Sequence, residues 1–162
     1  MKLNNLVKRI IGAVAAVFGL LFLVAGKNVK VISKAGGLSE SEKIKVFDFL
    51  KDAKDAEIFG LQRVLFWIAI VVIFAALVWF VFAVVAELVK NKNLTTIANN
   101  FSKWAAVALV GAVVLLAVAG LIPHTEKAYG FEIKMTASVF SSIWFYLTAV
   151  CAVGSAVVEF AA

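Results

Sequence analysis

The chain has 162 residues, 64% of them hydrophobic, and a mean hydropathy of +1.01. Soluble domains hold roughly 45–50% apolar residues, so a water-soluble globular class is excluded and an integral membrane protein is expected. The formal net charge of +6, carried almost wholly outside the apolar runs, suits loops beside anionic headgroups and argues against nucleic acid as a partner. The lone cysteine, Cys151, excludes an intrachain disulfide, a CxxC redox pair and a cysteine-based metal site.

Ionisable side chains are missing from residues 10–26, 64–86 and 104–122, and from 135–158 apart from the weak acids Tyr146 and Cys151. Each run meets the roughly 17–25 residues that a helix needs to cross a hydrocarbon core of about 30 Å. The expectation is an all-α integral membrane protein: a single membrane domain over 1–162, built as a four-transmembrane-helix bundle of two hairpins, with spans at about 10–26, 62–88, 104–122 and 135–159. Residues 1–26 also match the outline of a cleaved signal peptide, which would leave three spans. Their apolar core is long for the roughly 7–15 residues of such a signal, and the segment is read as a retained span.

In span 1, Gly12, Ala16, Gly19 and Gly26 recur at steps that make one thin seam. The loop that follows opens with NVKVISK, which is too short and charged to assign, and breaks at Gly36-Gly37. Ser39 with Glu42 three residues on matches a capping box, and an amphipathic helix is expected over about 40–59. Its apolar face is Val46, Phe49, Leu50, Ala53 and Ala56, with Phe47 at the edge. Asp48, Lys51, Asp52 and Asp55 lie on the polar face, where a soluble contact is expected.

Span 2 is bulky, with Phe66, Ile70, Phe74, Trp79 and Phe80, and reads as lipid-facing or as the knob side for thinner helices. A basic link, VKNKNLTTIANNFSK over 89–103, leads to span 3, whose small residues are Ala108 and Ala112. After Pro123, span 4 carries a second thin seam of Ser138, Ser142, Ala149, Ala152 and Ala156. Such seams let helix backbones approach closely, and in lipid this packing drives association. A faint echo also runs through the chain. LLFLVAG and LLAVAG close spans 1 and 3, and FGLQR and YGFEIK open spans 2 and 4, as two like-oriented hairpins would.

Lys2, Lys8 and Arg9 before the first span, with Lys90, Lys92 and Lys103 crowded in the second link, place both termini in the cytoplasm by density of charge. A plain count favours the opposite orientation. Four spans with a large first loop is also the topology of claudins and tetraspanins. The loop holds neither cysteine nor tryptophan, and a helix is expected where a claudin places strands, so no family is read from the likeness.

Polar chemistry inside the spans is missing, whereas transporters and proton pumps keep ionisable residues there. The only histidine, His124, sits at a membrane edge with Glu126, Lys127 and Glu132 nearby. No catalytic set, metal site or cofactor is expected. The functional reading is a non-catalytic accessory, assembly or structural subunit whose partners are membrane lipids and another membrane protein or a second copy. One alternative is a channel or carrier for an uncharged or lipid-like solute, lined by the hydroxyls of Ser138, Ser141, Ser142, Thr148 and Ser155. A weaker one is an interfacial lipid-modifying enzyme using His124 and Glu132.

Overall fold

The computed structural model describes residues 4–128 and 131–161. In chain order its elements are α1 (Asn5–Val24), β1 (Val29–Ala35), β2 (Leu38–Ile44), α2 (Val46–Asp55), α3 (Gly60–Val89), α4 (Lys92–Leu121), β3 (His124–Ala128), β4 (Phe131–Ser138) and α5 (Ile143–Phe160). Helices α1, α3, α4 and α5 are long and apolar enough to cross a membrane, so the chain is membrane-embedded. They form a ring in which α1 and α4 each pack against both α3 and α5. With 30 residues each, α3 and α4 reach about 45 Å at 1.5 Å per residue, longer than the roughly 30 Å core they cross.

The expected all-α class is wrong at one end of the bundle, where both connecting loops fold into strands. Gly36 and Gly37 have φ of 53° and 86°, the left-handed backbone that a two-residue type I′ hairpin turn demands. They join β1 to β2 in an antiparallel register running from Val29 opposite Ile44 to Ala35 opposite Leu38. Ser39 and Glu42 therefore lie in a strand, opposite Lys34 and Val31, and the expected capping box does not form. The amphipathic helix shrinks from 40–59 to Val46–Asp55. Its buried residues are Val46, Phe49, Leu50 and Ala53, as the periodicity requires, while Ala56 falls beyond the helix and is exposed.

Strands β3 and β4 complete a four-stranded antiparallel sheet of order β2-β1-β4-β3. Span 4 accordingly starts at Ile143, because 135–138 is the end of β4 and the Ser142 hydroxyl caps α5 by accepting from the Phe145 N–H at 3.2 Å. The basic link is mostly helix as well. Lys90 ends α3 in the left-handed region, and the Asn91 carboxamide accepts from the N–H groups of Asn93 and Leu94 to start α4 at Lys92. Strands now stand where the first loop was expected to be helical, so that ground for separating the chain from claudins is withdrawn, while the loop's lack of cysteine and tryptophan remains.

The internal echo holds in part. Helices α1 and α4 each lead into a β-hairpin, but the described part of YGFEIK belongs to β4, and Tyr129 and Gly130 lie outside the described residues. A two-fold repeat would set equivalent strands side by side. Here β1 pairs instead with β4, the non-equivalent strand.

The core is assembled by size matching. Phe66, Ile73 and Phe80 of α3 are fully buried; Phe80 and Ile73 act as knobs against Gly12 and Gly19 of α1, and Phe66 packs on Phe49 of α2. A Cβ at Gly12 would overlap the Phe80 ring. Gly12→Ala is therefore expected to cost about 1–3 kcal/mol through overpacking, and Gly12→Ala with Phe80→Leu to recover part of that loss. Reversible unfolding in detergent micelles measures both; independent, additive effects would contradict the knob-and-seam contact.

Candidate functional site

Most of the expected helix-packing residues are consumed inside the bundle. Gly12, Ala16, Gly19, Ala112 and Ala152 are buried, Ala149 and Ala156 are half-buried, and only Ala108 among the mid-span candidates is open. Gly26 lies beyond the end of α1 at φ 79°. Ala108 belongs to an apolar groove of about 380 Å³ between α3 and α4, floored by Ala75, Ala76 and Ala105 and flanked by Trp79 and Phe101. The Trp79 Nε1–H is tethered to the Ser102 hydroxyl at 3.0 Å, which fixes one wall.

At the bundle end that carries both termini, the structure brings together charges that sequence reasoning left as separate interfacial residues. One terminal nitrogen of Arg9 donates to both Glu159 carboxylate oxygens at 2.6 and 2.7 Å, and the other donates to Asn99 Oδ1 at 2.7 Å. Arg9 is 2% and Glu159 3% exposed. The cluster links α1, α4 and α5 immediately beside their apolar stretches. Its signal in the sequence was that an arginine and a glutamate adjoin runs of opposite direction, which puts them at one level of an up-and-down bundle.

The opposite end presents a different electrostatic surface. Val29, Val31, Ile44, Met135 and Ala137 share the sheet face turned to the core, and Val29 and Ala137 are fully buried. Period-two alternation puts Lys30, Lys34, Lys43, Lys127 and Lys134 together on the other face. Lys30 stands directly opposite Lys43, and Lys34 directly opposite Lys134. Ile32, Ser39, Ser41, Thr125, Thr136 and Ser138 fill the positions between them, and Glu132, opposite Lys127, is the one carboxylate on this face among the described residues. Sequence reasoning missed this face because its lysines come from two loops.

The polar face of α2 is divided by its surroundings. Asp52 lines a cleft against the sheet with Glu42 and Val31, whereas Lys51 lines a groove against α3. Asp48 and Asp55 are exposed. No ion pair between Lys51 and Asp55 is present among the described residues.

Three hydroxyls at or within span 4 have partners, whereas the buried Ser155 hydroxyl has none among the described residues. Ser138 accepts from the Phe140 N–H at 3.2 Å, Ser142 donates to Asn28 Oδ1 at 2.8 Å, and Thr148 donates to the Trp144 carbonyl at 2.7 Å. His124 Nδ1 accepts from the Phe59 N–H at 3.3 Å, and its ring packs on that of Phe59. This contact steadies Phe59, which opens α3 at φ 55°. His124 lies opposite Met135, three residues from Glu132, so strand alternation places His124 and Glu132 on opposite sheet faces.

Among the described residues, no group of three or more His, Cys, Asp or Glu is arranged to hold a metal ion. Comparisons with protein families, with characterised proteins and with solved structures returned no match.

Removing one partner of a buried ion pair strands the other charge, whereas replacing both by apolar side chains is often neutral. Arg9→Met should therefore destabilise the protein by about 3–5 kcal/mol, and the double variant Arg9→Met/Glu159→Leu should restore most of that. A double-mutant cycle on unfolding in micelles checks it; an Arg9→Met protein as stable as wild type would show that the pair is not buried in the membrane-embedded state.

Proposed function

We propose that this protein is a non-catalytic accessory or assembly subunit that holds its sheet above the membrane as a docking surface for an acidic region of a partner membrane protein. The observation that carries the reading is the direct cross-strand opposition of Lys30 to Lys43 and of Lys34 to Lys134. Like charges directly opposite one another oppose sheet formation, so this arrangement contributes nothing to folding, and an acidic partner relieves the repulsion. Edge strands β2 and β3 carry Glu40, Glu42, Lys43, Glu126 and Lys127, and charged edges discourage sheet-to-sheet polymerisation. Contact through the lysine face is therefore favoured over edge pairing.

Lateral contact in the bilayer suits the α3–α4 groove, whose alanine floor lets a partner helix approach closely. The carrier reading keeps only the buried, unpartnered Ser155 hydroxyl in its favour, because Ser138, Ser142 and Thr148 already have partners. The enzyme reading loses support because His124 and Glu132 face opposite ways. With both termini at the Arg9–Glu159 end, we place them in the cytoplasm on the density of basic residues, and the sheet on the far side of the membrane.

Two effects of opposite sign test the proposal. Lys34→Ser/Lys134→Ser should stabilise the isolated protein slightly, by about 0.2–1 kcal/mol, while releasing the partner. Native mass spectrometry of complexes extracted in mild detergent measures the second effect. A partner retained at wild-type stoichiometry in this variant would refute the docking role of the lysine face.

A further inference from the structure

A second basic site lies below the sheet, where α2 meets the start of α3. The groove between them encloses about 460 Å³ and is lined by Lys51, Lys54 and Arg63 together with Phe47, Val64 and Trp67. Its charges and its apolar wall are stacked in a definite order. Arg63 is the last ionisable residue before the uninterrupted apolar run of α3 begins at Val64, so the cations stand at the edge of the hydrocarbon. Trp67 follows one turn further along α3, half exposed and with its ring 6.4 Å from that of Phe47. Tryptophan at such a depth marks the headgroup boundary.

The three cations have no carboxylate partner among the described residues. Arg63 Nε donates to the Ile58 carbonyl at 3.0 Å, and this holds the guanidinium against the turn that precedes α3. At 100° per residue, Phe47, Leu50, Lys51 and Lys54 share the groove side of α2, Asp52 falls on the far side, and Asp48 and Asp55 stand at about right angles to the groove. Asp52 is there seen lining the cleft beneath the sheet. The helix thus turns Lys51 and Lys54 toward the membrane edge and Asp52 away from it, and none of its aspartates lines the groove.

We propose that this groove is a binding site for one anionic glycerophospholipid, its phosphate held by Lys51, Lys54 and Arg63 and its acyl chains running down Val64 and Trp67. Convergent unpaired cations supply the complement for the headgroup. The apolar wall below them supplies the surface that a water-soluble phosphate compound would leave bare. The site is separate from the lysine face of the sheet and does not depend on its proposed role.

The full-length protein, delipidated in detergent, is offered equal amounts of phosphatidylglycerol and phosphatidylcholine and examined by native mass spectrometry. One phosphatidylglycerol per chain is expected to be retained with at least about tenfold preference. Lys51→Gln/Lys54→Gln, which alters exposed side chains only, and Arg63→Gln should each lower that preference several-fold. Lys34→Gln/Lys134→Gln, which removes equal charge from the sheet, should leave it unchanged. Phosphatidylglycerol with brominated chains should quench a tryptophan signal that is lost in Trp67→Phe. Millimolar glycerol phosphate should fail to displace the lipid. Absence of preference, equal loss in the sheet variant, quenching that survives Trp67→Phe, or displacement by glycerol phosphate would each overturn the site.

Discussion

The pairing of β1 with β4 is the contact on which the rest of the molecule depends. Each loop by itself offers only a two-stranded ribbon, which is marginal in water, and the two become a sheet only by joining, from Lys30 opposite Ser138 to Ala35 opposite Ile133. Because β1 continues from α1 and β4 feeds α5, the same pairing draws those two helices together. Asn28 tightens the junction, donating to the carbonyls of Phe22 and Ala25 and accepting from Ser142. At the far end of the same helix pair, Arg9 and Glu159, 150 positions apart in sequence, close the other side. The α1–α5 contact is thus held at both ends by polar groups and between them by the aromatic pairs Phe18–Trp144 and Phe22–Phe145.

That constraint also explains where charge collects. A sheet assembled from two loops must choose one face for the core, and Val29 and Ala137 decide it by burial. Alternation then sends the lysines of both loops outward together, including pairs that repel. The acidic residues Glu42 and Asp52 meet in the cleft on the inner side, beside α2. The outcome is an extramembrane end with positive charge at two levels, on the sheet and at the membrane edge, although Lys51 and Lys54 share their helix with three aspartates.

How much of this was legible in the sequence follows from the range of the interactions involved. The four spans were legible because hydropathy over about 20 residues is a local property, and the buried face of α2 was legible because periodicity is local too. The hairpin turn was also within reach. Gly36-Gly37 stands between two seven-residue arms, and Val29 and Val31 alternate with polar or outward residues, a pattern that favours strands. The Ser39–Glu42 spacing won instead, although a capping box is decided by backbone geometry that the two side chains do not dictate. The boundaries of α4 and α5 lie elsewhere for a related reason: polar residues of 92–103 continue a helix beyond the hydrocarbon, and the uncharged residues 135–138 pair as a strand rather than enter it.

The sites were less legible because each draws on residues far apart in the chain. Arg9 and Glu159 looked like independent interfacial charges until the up-and-down order set them at one level. Lys34 and Lys134 belong to different loops, and no local pattern says that they face each other. Opposition of this kind also lies outside the interactions that hold the sheet together. The Gly36-Gly37 turn, the apolar inner face and the Asn28–Ser142 junction hold the sheet's register without help from its outer face. The lysines are therefore free to carry a repulsive arrangement that folding alone would not favour, and the docking role proposed for this face draws on that repulsion.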